Sequence, residues 1–286
     1  MAAIDPGLNL ASVRLAVSDL PRSVAFYERV LGLPVLASDE QTAQLGPGER
    51  PALALEQIDA PTPLSPASTG LFHVAWLHPS RAALAVSVRR VVGQRWPFDG
   101  ASDHGVSEAL YLTDPDGLGI ELYADRPRAE WQRPPDGRGV RMVTLPLDLD
   151  DLLAQDPGGA TASIDAGTTV GHVHLKVSDV PRATAFYRDA LGFEEQATMP
   201  SAAFLSAGGY HHHVGLNSWQ SAGAAAPPET APGLREIEVE LGDGAAVEQL
   251  EQRLRESAGG GAVEDAGNGG LSVRDPDGQL LTFTGR

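Results

Sequence analysis

The chain has no cysteine among its 286 residues. That absence removes disulfides, thiolate metal ligands and cysteine nucleophiles together, so any metal must be held by imidazole and carboxylate. Basic residues are also scarce. Lys and Arg number 21 against 38 Asp and Glu, a formal net charge of -17, and no basic cluster occurs. A surface this acidic repels phosphate backbones and anionic lipid, which argues against nucleic-acid and membrane partners. No apolar run approaches the roughly 18 residues of a spanning helix. The segment from Met1 to Leu10 lacks a basic stretch followed by an apolar one, so no signal peptide is expected. A cytoplasmic protein is the default expectation. Hydrophobic residues at 42% suffice for a core, and the length suits one large or two ordinary domains.

What is present is a repeat. Residues 13–32 (VRLAVSDLPRSVAFYERVLG) and 173–192 (VHLKVSDVPRATAFYRDALG) align without gaps at a constant offset of 160. In each, an alternating strand ends at Ser-Asp. Asp19 and Asp179 can cap a helix, with Pro21 and Pro181 in its first turn, where a missing N–H costs nothing. Gly32 and Gly192 stop it. Each half then holds a second unit. Strand 71–77 precedes a helix near 81–92 and strands 108–113 and 119–123. Strand 234–241 precedes a helix near 245–257 and strands 271–274 and 280–284. The last two strands of each are joined by Asp-Pro-Asp-Gly, at 114–117 and 275–278, the chemistry of a tight reversal. The expected fold is α+β: two tandem modules, four βαβββ units, pairs of units closing into cupped half-barrels. The expected boundaries are 1–127 for the N-terminal module, 128–168 for a Pro-, Gly- and Asp-rich connection, and 169–286 for the C-terminal module. The cup is where a ligand would sit.

These motifs resemble the vicinal-oxygen-chelate superfamily, which includes glyoxalase I, bleomycin and fosfomycin resistance proteins and extradiol dioxygenases. The resemblance covers nearly the whole chain outside the connection. More narrowly, GLFHVAW, DHGVSEALYLTDPDGLGIELYADRP, GHVHLKVSD and GGYHHHVGLNSW resemble two-module bacterial catechol 2,3-dioxygenase-like proteins. The resemblance implies a metal held by two His and one Glu, near the start of each unit's first strand and on its last strand. Carried over residue by residue, unit one offers Ser12, which is no ligand. Unit two offers His73 and Glu121, and unit three offers His172. Unit four offers Glu236 and Thr282, which departs from the usual pattern in which units three and four carry the metal. Neither module alone completes a set; units two and three together do, provided that unit two packs against unit three.

Two imidazoles and a carboxylate on one face of an octahedral ion leave the other face open, which suits non-haem Fe(II) and oxygen chemistry. Strand parity agrees with the assignment. Phe72, Val74 and Trp76 read as one apolar face, with His73 opposite; Ile120 and Leu122 leave Glu121 on the other side; Val173, Leu175 and Val177 do the same for His172. His174 shares that face and is a rival ligand. Ring cleavage also needs a group to take and return protons, for which His and Tyr are suited. His211, His212 and His213 read as part of unit three's last strand. Alignment with extradiol enzymes puts the acid–base group at His212, whereas parity with Val214 and Leu216 puts His211 and His213 in the cup; both readings stay open. Tyr111, ten residues before Glu121, faces the cup in the manner of a substrate-binding Tyr. His104 is a candidate for the rim, and Tyr123 shares the face of Glu121.

The resulting expectation is a dioxygenase opening a catechol-like or hydroquinone-like ring with O₂, with Fe(II) first and Mn(II) second as metal. The alternatives are another metal-dependent enzyme of the superfamily, a lyase or thiol transferase, and a metal-free binding or resistance protein. No acidic residue occupies 210–219, which argues against glyoxalase chemistry. Substrate identity and assembly into a homo-oligomer stay open.

Overall fold

A computed structural model describes residues 3–135, 137–158, 162–257, 260–267 and 269–286. All four expected units are present, each in the order β-α-β-β-β. Unit one comprises β1 (Asn9–Val17), α1 (Leu20–Phe26), β2 (Val35–Ser38), β3 (Thr42–Leu45) and β4 (Leu53–Gln57). Unit two comprises β5 (Gly70–His78), α2 (Arg81–Gly93), β6 (Gly100–Asp103), β7 (Ser107–Thr113) and β8 (Gly119–Asp125). The described residues of the connection carry a 3-10 turn (Arg128–Glu130) and a short helix, α3 (Leu149–Leu153). Unit three comprises β9 (Thr169–Lys176), α4 (Val180–Ala185), β10 (Glu194–Met199), β11 (Ala202–Ser206) and β12 (Val214–Asn217). Unit four comprises β13 (Gly233–Leu241), α5 (Gly244–Glu256), β14 (Val263–Gly267), β15 (Gly270–Arg274) and β16 (Leu280–Gly285).

The local signals act as their chemistry requires. Asp19 accepts from the Arg22 N–H and Asp179 from the Arg182 N–H, capping α1 and α4. Both helices run on into a π-helical turn (Tyr27–Leu31 and Phe186–Ala190), a widening the sequence does not announce. The Asp-Pro-Asp-Gly turns do more than reverse the chain. Asp116 accepts from the backbone and hydroxyl of Ser18 and from Arg22, and Asp114 accepts from the Tyr27 hydroxyl. Asp277 and Asp275 repeat this with Ser178, Arg182 and Tyr187. Each turn therefore clamps the second unit of its half onto the first helix of that half. That tertiary contact explains why both motifs recur together.

Across the halves, pairing decides the architecture. β5 runs antiparallel to β9, with His73 opposite His174 and Ala75 opposite His172. β1 runs antiparallel to β13, with Ser12 opposite Glu238 and Arg14 opposite Glu236. Unit two thus packs against unit three, as the ligand assignment required, and unit one against unit four. Leu10 opposite Val170 joins the two cups into one continuous sheet. The helix-facing sides of the strands, including Val13, Val74, Trp76, Ile120, Leu122, Val173 and Leu175, merge with the helices into one large core. Among the described residues no helix is long and apolar enough to cross a membrane.

Candidate metal centre

His73 on β5, Glu121 on β8 and His172 on β9 project from three neighbouring strands to one point. His73 Nε2 lies 3.0 Å and His172 Nε2 3.1 Å from the same carboxylate oxygen, Glu121 Oε2, and the two imidazole nitrogens are 3.3 Å apart. All three residues are buried, and among the described residues they form the one cluster with ligand atoms close enough to hold an ion together. Burial would raise the Glu121 carboxyl, but His172 and His73 outweigh it and hold it well below the usual carboxylate range. Burial pushes His172 down to about 4 against the pull of Glu121. The His172 ring is therefore neutral near pH 7, with a lone pair to offer.

The donor set fits a divalent transition metal. Ligand atoms about 2.1 Å from an ion and at right angles to each other lie about 3 Å apart, close to the observed triangle. A buried carboxylate flanked by a neutral imidazole also leaves negative charge without an internal cation, which is costly unless an ion compensates it. The second nitrogen of His172, Nδ1, is buried without a hydrogen-bond partner, so no protein group competes by holding that ring in another role.

Around the triangle stand two hydrogen-bonded arms. In one, the Tyr111 hydroxyl lies 2.6 Å from His104 Nε2, and His104 Nδ1 lies 2.8 Å from the Val143 carbonyl. The carbonyl can only accept, so His104 donates to it and accepts from Tyr111. Val143 belongs to the connecting segment, whose Leu145 pairs with Asp103 at the edge of β6. Tyr111 sits opposite Glu121 in the β7–β8 ladder, its ring 5.7 Å from that of His73. Its hydroxyl is raised far above an ordinary phenol, by burial first and Glu121 second. In the other arm the His212 ring lies 4.0 Å from that of His172, and its Nδ1 meets His211 Nδ1 at 2.8 Å.

His174 completes the wall. Its Nε2 is buried and unpartnered, and its ring packs against Phe72, His73, Phe204 and Trp219. It stands beside the triangle without joining it. Gly215 makes this placement feasible, because a Cβ there would lie 2.8 Å from the His174 ring.

Several expectations change. His211, His212 and His213 do not lie on a strand; they form a bend ahead of β12, which starts at Val214. Alternation does not apply to a bend, so the parity that put His211 and His213 in the cup fails. His211 is fully buried behind His212, and its Nε2 lies 3.0 Å from Asp125. His213 turns away from the triangle: its Nδ1 accepts from the Ala207 N–H, its ring packs on Tyr210, and it lines a separate cleft with Ser12 and Glu238. Tyr123 is also fully buried, with its hydroxyl 2.8 Å from that of Tyr210 in the space that Gly171 leaves by lacking a Cβ. Tyr123 and His211 therefore back the site and do not line it. Phe72 leaves the apolar face assigned to it. A bulge between Leu71 and His73 puts Leu71, Val74 and Trp76 in the core and turns Phe72 toward His174 and Trp219. Asp125, Phe204 and Trp219 escaped the sequence reading. For Asp125 a signal existed: it follows Glu121 and Tyr123 at a spacing of two on β8.

The profile of the Glyoxalase/Bleomycin resistance protein/Dioxygenase superfamily matches residues 9–122 and 169–283, one stretch in each half. The chain belongs to that superfamily. Within it, the chain is 40% identical over 289 aligned residues to a catechol-2,3-dioxygenase of Bacillus subtilis (strain 168), covering 99% of both sequences. Superfamily folds also appear among solved structures: glyoxalase I from Zea mays matches with a TM-score of 0.56 at 17% identity, over 97% of this chain and 92% of that one. The cppA protein from Streptococcus pneumoniae TIGR4 matches with a TM-score of 0.60 at 11% identity over all of both chains. At such identities these two likenesses concern the fold alone.

Proposed function

We propose that this protein is a metal-dependent extradiol dioxygenase that opens a catechol-like or hydroquinone-like ring with O₂. The observation that carries the reading is the convergence of His73, Glu121 and His172 on one point, in a chain 40% identical to a catechol-2,3-dioxygenase along its whole length. His73, Glu121 and His172 are the metal ligands in this reading, with Fe(II) favoured and Mn(II) the second choice. When bound, the ion would supply Lewis acidity and a path for electrons to O₂.

The protein's own groups do the rest. His212 has Nδ1 engaged by His211, which leaves Nε2 free to accept a proton from a substrate hydroxyl and return it later. Burial, and then the neighbouring imidazoles, push His212 well below an ordinary histidine, so it enters the reaction as a base. Tyr111 is held by His104 and keeps its proton, which suits it to hydrogen-bond a substrate oxygen and not to remove a proton. His174 Nε2 offers a further polar contact. Phe72, Phe204 and Trp219 supply apolar faces for a planar ring. His213 is not part of this machinery. A glyoxalase-like lyase is less well supported, because the cluster has one carboxylate and no acidic residue lies on the His212 side of the cup between 210 and 219.

The test is anaerobic loading with Fe(II) or Mn(II), followed by a panel of catechols and hydroquinones under isotopically labelled O₂. The expected result is a ring-opened product carrying both labelled oxygen atoms, at one ion per chain. A chain that takes up no metal, or a loaded chain that leaves the whole panel intact, would overturn the reading.

A further inference from the structure

Behind His212 lies a chain of polar groups that metal binding does not require. Asp125, at the end of β8, accepts at Oδ1 from two sides: His211 Nε2 at 3.0 Å and the Tyr210 hydroxyl at 3.2 Å. A carboxylate has acceptors only. His211 must therefore carry a hydrogen on Nε2, and as a neutral imidazole it then keeps Nδ1 as a lone pair. His211 Nδ1 lies 2.8 Å from His212 Nδ1. That contact is a hydrogen bond only when His212 carries its hydrogen on Nδ1, and then His212 Nε2 is left as the lone pair. Which nitrogen of a histidine acts is set by the bond the other one makes.

We infer that Asp125, acting through His211, is a positioning residue that locks His212 in the tautomer whose Nε2 is the free base. This inference rests on reading His212 as the acid–base group. The arm is rigid: His211 is fully buried, Trp131 of the connecting segment packs on its ring at 5.4 Å, and the Tyr210 hydroxyl is itself held by Tyr123. The other cup has no counterpart. The Val13 N–H donates to the Ala52 carbonyl as the Val173 N–H does to the His213 carbonyl, so the places of His211 and His212 fall to Arg50 and Pro51, and the place of Asp125 falls to Arg286. The acidic anchor and its two imidazoles occur together in the cup that holds the ligand triangle.

The test has a readout apart from turnover. In nitrogen-labelled protein loaded with zinc(II) as a diamagnetic ion, the His212 ring nitrogens, assigned by their loss in His212→Gln, should show Nδ1 protonated and Nε2 bare. Asp125→Asn keeps the shape but can present its amide N–H to His211, so it should mix or invert the two His212 tautomers. It should also lower kcat about tenfold to a hundredfold, the usual scale for partners behind a metal site, with KM and metal content at the parent values. In a His212→Ala background the same substitution should change kcat no further, because it acts only through His212. Parent-like His212 tautomers in Asp125→Asn would overturn the inference. So would a full additional loss of kcat in the His212→Ala background, which marks a merely structural role. A chain that shows the tautomer switch yet cleaves no aromatic would refute the dioxygenase reading and leave the positioning role standing.

Discussion

The two cups share a backbone plan and differ in how they close their charge. By strand register, the places of His172, His174, His73 and Glu121 in the cup of units two and three are taken in the cup of units one and four by Ser12, Arg14, Glu236 and Thr282. In that second cup the positive charge is internal. Arg14 binds Glu236 at 2.5 Å and Glu56 at 3.3 Å, the Thr282 hydroxyl donates to Glu236, and Ser12 donates to Glu238 at 2.6 Å. In the first cup the partners of the buried Glu121 carboxylate, among the described residues, are the His73 and His172 imidazoles. All eight histidines of the chain fall in units two and three. The same fold thus gives one cup whose polar groups satisfy each other and one that gathers two imidazoles on a buried carboxylate, an arrangement that could hold an ion.

Glu121→Gln attacks that difference most directly. Removing the carboxylate should abolish metal uptake and turnover together, while Glu236→Gln in the other cup should leave both at parent level; elemental analysis and product formation would check the pair. His212→Ala should come next. It should keep the ion and lose about a hundredfold to ten-thousandfold in kcat, the range for acid–base groups, whereas His213→Ala should turn over as the parent does. Tyr111→Phe removes the hydroxyl that bonds His104 and should cost about tenfold in kcat/KM, or about 1.4 kcal/mol, with unchanged metal content.

Acid should lower the stability of the chain as a whole. Burial pushes His78 down to about 4 and His213 to about 3, so the unfolded chain binds protons that the folded one refuses. Their contribution to stability is complete above about pH 6.5 and is lost as pH falls toward 4. Asp114 and Asp275, raised to about 6 chiefly by burial, act in the opposite sense over the same range, but in the metal-free chain His172, His174 and His212 are also lowered by burial, and the five histidines outnumber them. Chemical unfolding of the metal-free chain should show falling stability from pH 7 to 4.5. His78→Asn should flatten that slope by about 3 kcal/mol, the worth of a shift of its size. The smallest effect belongs to Arg14→Met. Its pairs are partly exposed, so under about 1 kcal/mol of stability should be lost, with metal content and turnover unchanged.

Much of this was legible before the structure. The gapless repeat and the two Asp-Pro-Asp-Gly turns announced four units because capping and turn chemistry are local. Glu121 and His172 could be aimed from the parity of Ile120 and Leu122, and of Val173 and Leu175, because those stretches are regular strands. The requirement that unit two meet unit three followed from Ser12 and Thr282 being unable to serve as ligands. What escaped was irregular or distant. The bulge that turns Phe72 into the cup leaves no mark in the alternation. The bend at His211–His213 cancels a parity that its flanking apolar residues advertise. The bond from His211 to Asp125 spans 86 positions, and only the spacing of Asp125 from Glu121 pointed to it.

The central claim is that one metal site is shared by two halves of the chain. Calorimetric titration with Fe(II) under anaerobic conditions tests it most directly, comparing the parent with His73→Ala and His172→Ala. The account expects one ion per parent chain and an equally deep loss of affinity in both variants, although the two residues lie in different modules. Parent-like affinity in His172→Ala, with His73→Ala alone impaired, would contradict it.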